Sequence, residues 1–248
     1  MPPAVHRRPP FVLALAAAGI AAAAMRMPGP PAVPPAFEPM PAGTGAVLPD
    51  SPLDLAAGAQ SAHASSLAAL PDGRMLVAWF AGSREGAADV AIRMALIRSG
   101  SVESEWESLT RSGLQSLVHR AVRKLGNPVL SVRPDGTVDL FVVSVGIGGW
   151  SGSAVNHLQS DDLGRTWKAA RRLVLSPFLN LGTLVRTPPI ACSDGSIVLP
   201  AYHEFIRKWG MAVRLGPDGT SEGKRDTPST VPSGPRRTAM PHLRMNSW

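Results

Sequence analysis

Ser160-Asp161-Asp162-Leu163-Gly164-Arg165-Thr166-Trp167 sets a hydroxyl, a carboxylate, a glycine, a second hydroxyl and an indole at the spacing S-x-D-x-G-x-T-W. The Asp162 carboxylate can accept hydrogen bonds from backbone N–H groups across the turn, Gly164 can take a positive φ, and Trp167 can fold its indole under the loop. This is folding chemistry, with no nucleophile and no metal set. Tyr202 is the only tyrosine and lies in Tyr202-His203-Glu204, a phenol close in sequence to a carboxylate. Cys192 is the only cysteine, so there is no internal disulfide and no CxxC metal or redox motif, and it reads as a small buried apolar residue. No residue pattern calls for a metal or another cofactor.

The elements around these residues announce themselves by their turns. Pro71-Asp72-Gly73-Arg74, Pro134-Asp135-Gly136-Thr137, Ser193-Asp194-Gly195-Ser196 and Pro217-Asp218-Gly219-Thr220 share one form, and Asp-Gly supplies the positive-φ position of a tight hairpin. Apolar stretches flank the first three turns. Ser65–Leu70 precedes Met75–Phe80, Val129–Val132 precedes Val138–Val143, and Ile190–Cys192 precedes Ile197–Ala201. These turns are 63 and 59 residues apart, a rhythm that suits four-stranded propeller blades better than the closer turns of a sandwich. Leu109–Val122 fits either a helix or a long loop and falls where one blade would connect to the next.

Composition agrees with many short strands. The chain has 24 Gly and 25 Pro among 248 residues, well above ordinary usage, and both punctuate turns. The net charge of +7 lies partly at the termini, and the middle carries no Lys/Arg stripe interleaved with aromatics, which argues against a nucleic-acid partner. His6, Arg7 and Arg8 precede an apolar run, Phe11–Ala24, that ends in small residues, the order of an export signal. Residues 1–27 are therefore expected to be a signal peptide or an uncleaved anchor, the only route to a membrane, and the protein is expected to be periplasmic or secreted. Residues 28–48 form a Pro-rich linker, 49–223 the folded part, and 224–248 a basic, disordered tail.

Beyond the turn motif, the run Pro71 to Ile92, which holds Trp79-Phe80-Ala81-Gly82-Ser83-Arg84-Glu85-Gly86-Ala87-Ala88-Asp89, resembles the first blade of bacterial predicted neuraminidases. Gly126-Asn127-Pro128-Val129 resembles the opening of their second blade, and Ser160, Asp162, Gly164, Thr166 and Trp167 resemble an Asp-box of that sialidase-like, BNR-repeat superfamily. The resemblance implies an all-β fold, part of a six-bladed propeller with about three blades present behind an N-terminal export helix. It also implies an exo-acting glycoside hydrolase with a glycan substrate, acting on a terminal sugar, with an acidic sugar among the candidates. In that superfamily an Asp serves as acid/base, a Tyr assisted by Glu is the nucleophile, and three Arg grip a carboxylate.

Carried over by residue, Asp89 takes the acid/base position or caps a strand end, and Arg84 joins an anion site or is a solvated loop charge. His63 stands where the superfamily has its first arginine, a departure that weakens sialic acid as the substrate. Arg186 is a second anion contact or a surface charge, and Trp150 stacks on a sugar or packs in a core. Tyr202 and Glu204 come too early in the chain for the nucleophile pair and are expected to line the substrate with Glu85 and Asn127. Six blades need more chain than is present, so a truncated form with an incomplete active site is expected, with a non-catalytic carbohydrate-binding fragment as the alternative.

Overall fold

The computed structural model describes residues 53–55, 58–176, 180–205 and 208–226, together with the isolated positions Ala17 and Ala21. Apart from those two positions, the expected signal or anchor and the linker lie outside the described residues, as does the tail beyond Asp226.

The chain forms three antiparallel sheets in succession. The first runs β1 (Ser61–Ala69), β2 (Met75–Gly82), β3 (Ala91–Arg98) and β4 (Ser101–Thr110), each strand paired with the next. The helix α1 (Arg111–Val118) leads to the second sheet of β5 (Lys124–Val132), β6 (Val138–Val145), β7 (Ser153–Ser160) and β8 (Lys168–Arg172). The third begins with two short strands, β9 (Thr183–Val185) and β10 (Ile190–Ala191), both paired with β11 (Ile197–His203), and continues through β12 (Trp209–Leu215) to β13 (Ser221–Asp226). β13 thus runs three residues past the boundary expected at 223.

The Asp-Gly turns fold as their residues require. Asp72, Asp135, Asp194 and Asp218 each accept a hydrogen bond from the backbone N–H two residues on, at 2.8–3.1 Å. The glycine that follows each has φ between 74° and 88°, where a Cβ is disfavoured. The ambiguous stretch after β4 becomes a short helix and then a loop. Thr110 caps α1 by accepting from the Gly113 N–H at 3.0 Å, Leu114 is its buried contact, and His119 ends it in the left-handed region.

Packing follows from strand alternation. In β6 every residue is buried, because its two faces meet different neighbours. Val138, Leu140 and Val142 join Leu76, Ala78, Phe80 and Ile92 of the first sheet, while Phe141 and Val143 join Leu199, Ala201 and Val213 of the third. The second sheet is therefore sandwiched, and truncating the wholly buried Phe141 to Ala should cost about 3–5 kcal/mol.

The Ser160–Trp167 turn joins two sheets rather than closing only on itself. Asp162 accepts from the N–H groups of Arg165 and Thr166 and from the Thr166 hydroxyl, at 2.7–3.0 Å. The Gly164 carbonyl accepts from Ser108 Oγ at 2.5 Å and from Trp106 Nε1 at 3.3 Å, and Trp167 Nε1 donates to Ser108 Oγ at 3.1 Å. The indole of Trp167 thereby locks the β7–β8 connection onto β4 of the preceding sheet.

Candidate functional site

The first strand of each sheet breaks its ladder once. In β1 the register shifts between His63 and Ser66, with Ala64 at φ 53°; in β5 it shifts between Gly126 and Val129, with Asn127 at φ 44° before Pro128. Pro128 has no N–H to donate to a neighbour, which suits a bulge. In the third sheet the same role falls to Arg186-Thr187-Pro188-Pro189, which separates β9 from β10 along the shared partner β11. Two bonds hold the three strands in step: the Leu130 N–H donates to Ser66 Oγ at 2.9 Å, and Asn127 Nδ2 donates to the Val185 carbonyl at 3.2 Å.

These breaks open one cavity of about 620 Å³. His63 and Ser65 come from the first sheet, Asn127 and Pro128 from the second, and Leu184 and Arg186 from the third. Connections at the same end add Glu85 after β2, Trp150 between β6 and β7, and Tyr202 and Glu204 at the end of β11. All seven residues expected to line substrate thus meet in one place.

Local packing sets each of them. The His63 ring stacks on Phe80 with centroids 5.5 Å apart. Trp150 lies against Gly126, where an added Cβ would come within 2.8 Å of the indole, so the glycine makes room for the ring. The Lys124 ammonium sits 5.8 Å from the centroid of the same ring, a neighbour that sequence reasoning did not single out. Burial raises the Tyr202 phenol above its usual pKa and the Glu204 charge adds to this, so the hydroxyl stays protonated at neutral pH and can donate. Glu204 pairs with Lys208 at 3.1 Å. His203, one residue along β11, turns away and stacks on Trp209 at 4.0 Å.

Asp89 and Arg84, expected to be catalytic, do not line this cavity. The Asp89 carboxylate accepts from the Ser83 N–H at 2.9 Å and the Ser83 hydroxyl at 3.0 Å, and these bonds hold it below the usual carboxylate range. It lines a separate concavity on the face of the first sheet that carries Trp79 and Arg93, opposite the Phe80 face. The physical reason is the loop itself: Asp89 folds back across it to close the connection between β2 and β3. Arg84 is exposed on that loop. Among the described residues, no cluster of His, Cys, Asp and Glu is arranged to hold a metal ion.

The succession of antiparallel sheets, two of four strands and one of five, open to a shared cavity at one end, defines a propeller-like class also seen in sialidases. A sialidase of Hadza microbial origin, Hz136, superposes with a TM-score of 0.53 at 14% identity, over 66% of this chain and 37% of that one. A Trypanosoma rangeli sialidase in complex with sialic acid superposes with a TM-score of 0.51 at 14% identity, over 67% of this chain and 31% of that one. The chain belongs to the BNR repeat-like domain family, whose pattern matches residues 73–238. No curated protein matches it in sequence. The chain spans about a third of the length of the two sialidases it resembles.

Proposed function

We propose that the cavity binds the terminal sugar of a glycan, and that the three sheets are successive blades of a sialidase-like propeller. The observation that carries this reading is the convergence of three ladder breaks on one cavity whose wall mixes one large aromatic face with several hydrogen-bonding groups. The Trp150 indole offers a stacking platform for a pyranose face. Glu85 and Glu204 accept from hydroxyls, the Tyr202 phenol and Asn127 amide donate, and the Arg186 guanidinium matches a carboxylate on an acidic sugar.

Hydrolysis is a second reading, favoured by the presence of two carboxylates on the same wall. A glycosidase commonly needs one carboxyl group as acid and another as base or nucleophile, and Glu85 and Glu204 supply such a pair from the first and third sheets. Export through the segment before residue 28 belongs to the same reading, since a glycan substrate lies outside the cytoplasm.

Titration of the protein with a panel of neutral and acidic monosaccharides, followed calorimetrically, tests recognition. Trp150→Ala should abolish the signal, and a panel without any binding at millimolar concentration would sink the proposal. Fluorogenic glycosides test turnover: release that persists unchanged in both Glu85→Gln and Glu204→Gln would remove these carboxylates from the chemistry. Binding without release leaves a carbohydrate-binding module.

A further inference from the structure

Residues 108–134 and 163–193 contain no Asp or Glu. The fold brings these two acid-free stretches together, because α1 packs against β8. Arg111 opens α1, Arg120 and Arg123 follow in its exit loop, and Arg172 ends β8. None of the four pairs with a carboxylate among the described residues. Arg111 reaches only the Arg123 carbonyl, at 3.4 Å, and one terminal nitrogen of Arg172 reaches only the Asn180 carbonyl, at 3.4 Å. The Arg172 Nε is buried with no partner. Burial, and then the charge of Arg120, lower the Arg172 pKa, the mark of a cation held without its counter-charge.

The row has a direction. β5 enters the second sheet at Lys124, opposite Val145, and the Trp150 connection closes that same end. Arg172 lies opposite Asn156, and Asn156 opposite Val142, three rungs from that end. With Lys124 near the Trp150 ring, positive charge starts at the cavity wall and leads outward over the second sheet.

We propose that Lys124, Arg123, Arg120 and Arg172 form a track for the carboxylates of a linear polyuronide whose terminal sugar occupies the cavity. The occupant of the cavity rests on the reading above; the track rests on its own charges. A planar guanidinium fork suits a carboxylate, and a file of single charges leading from a sugar-sized cavity suits a chain of acidic sugars better than a flat anionic surface.

Binding of oligogalacturonate by the full chain at two salt concentrations, with dextran as the neutral control, decides the matter. The wild type should bind the polyuronide and lose affinity as salt rises. Arg172→Gln should weaken binding about tenfold and the exposed Arg120→Gln about threefold, while Arg172→Lys should restore only part of the loss. Circular dichroism confirms that Arg172→Gln folds, and Arg120→Gln stands as the variant that cannot disturb the core. Wild-type affinity in both Gln variants would overturn the proposal. So would binding to phosphatidylglycerol vesicles, abolished by the same changes, with none to oligogalacturonate. Trp150→Ala separates the two readings: failure of the cavity leaves salt-dependent binding sensitive to Arg172, whereas failure of the track leaves monosaccharide binding sensitive to Trp150 alone.

Discussion

His157 Nε2 lies 2.6 Å from Asp139 Oδ1, and both side chains are wholly buried at the junction of the second and third sheets. Arg133 Nε donates to the other carboxylate oxygen at 2.6 Å and its Nη1 donates to the Pro217 carbonyl, so the network ties the β5–β6 turn to the β12–β13 turn. Burial pushes the Asp139 carboxyl up, but the bonds from His157 and Arg133 outweigh it and leave it below its usual range. A carboxyl lowered in the folded state contributes stability that is complete above its unfolded pKa of about 3.9 and is lost as pH falls through the folded value. Asp139→Asn should therefore cost about 3–5 kcal/mol at neutral pH and flatten the decline in stability below about pH 4, both read from urea unfolding as a function of pH.

Two turn glycines separate conformational cost from steric cost. Gly136 has φ 88° with nothing near the position of a Cβ, whereas Gly219 has φ 74° and an added Cβ would lie 2.5 Å from the His157 ring. Gly136→Ala should lower stability by about 1 kcal/mol, and Gly219→Ala by about 2–4 kcal/mol, because it also disturbs the ring stacked on Phe141. Equal shifts in thermal melts would show that the junction yields without resistance.

Asp162 gives the second acid-sensitive group. Although desolvation raises it, bonds from Ser160 and Thr166 bring its pKa down to about 2. Its contribution is present above about pH 4 and fades as pH approaches 2. Allowing for solvent screening, Asp162→Ala should cost about 1–2 kcal/mol in denaturant titrations. Its effect should couple with that of Ser108→Ala, since the Gly164 carbonyl and the Trp167 indole both bond the Ser108 hydroxyl.

Asp89→Asn and Arg84→Gln should leave sugar binding, and any glycosidase turnover, at wild-type level. Asp89 is engaged by Ser83 and lies outside the cavity. Loss of turnover in Asp89→Asn with a normal melt would assign the acid/base role to it.

The hairpins were legible because Asp-Gly turns are local: φ, hydrogen bond and residue type all sit within four positions. Strands β4 and β8 were not, since Ser101–Thr110 alternates Glu and Ser with few apolar residues and Lys168–Arg172 is short and basic. Tertiary pairing decided them. The cavity residues were legible through resemblance, yet their meeting depends on strand breaks in three sheets that no local pattern announces. The place of Asp89 outside the cavity was not legible either. Its sequence position fits an acid/base role, and within the eight-residue loop between β2 and β3 its carboxylate folds onto Ser83.

The interrupted first strands carry a consequence for change. Unbroken pairing of β2 with β3, β6 with β7 and β11 with β12 fixes the core, while the wall of the cavity is drawn in part from the short stretches where the first strands lapse. Substitutions or insertions at 63–65, 127–128 and 186–189 can therefore alter what is recognised one sheet at a time, with the other two walls and the interior left in place. Selectivity in such an architecture is modular, and new specificities are reachable through separate small steps.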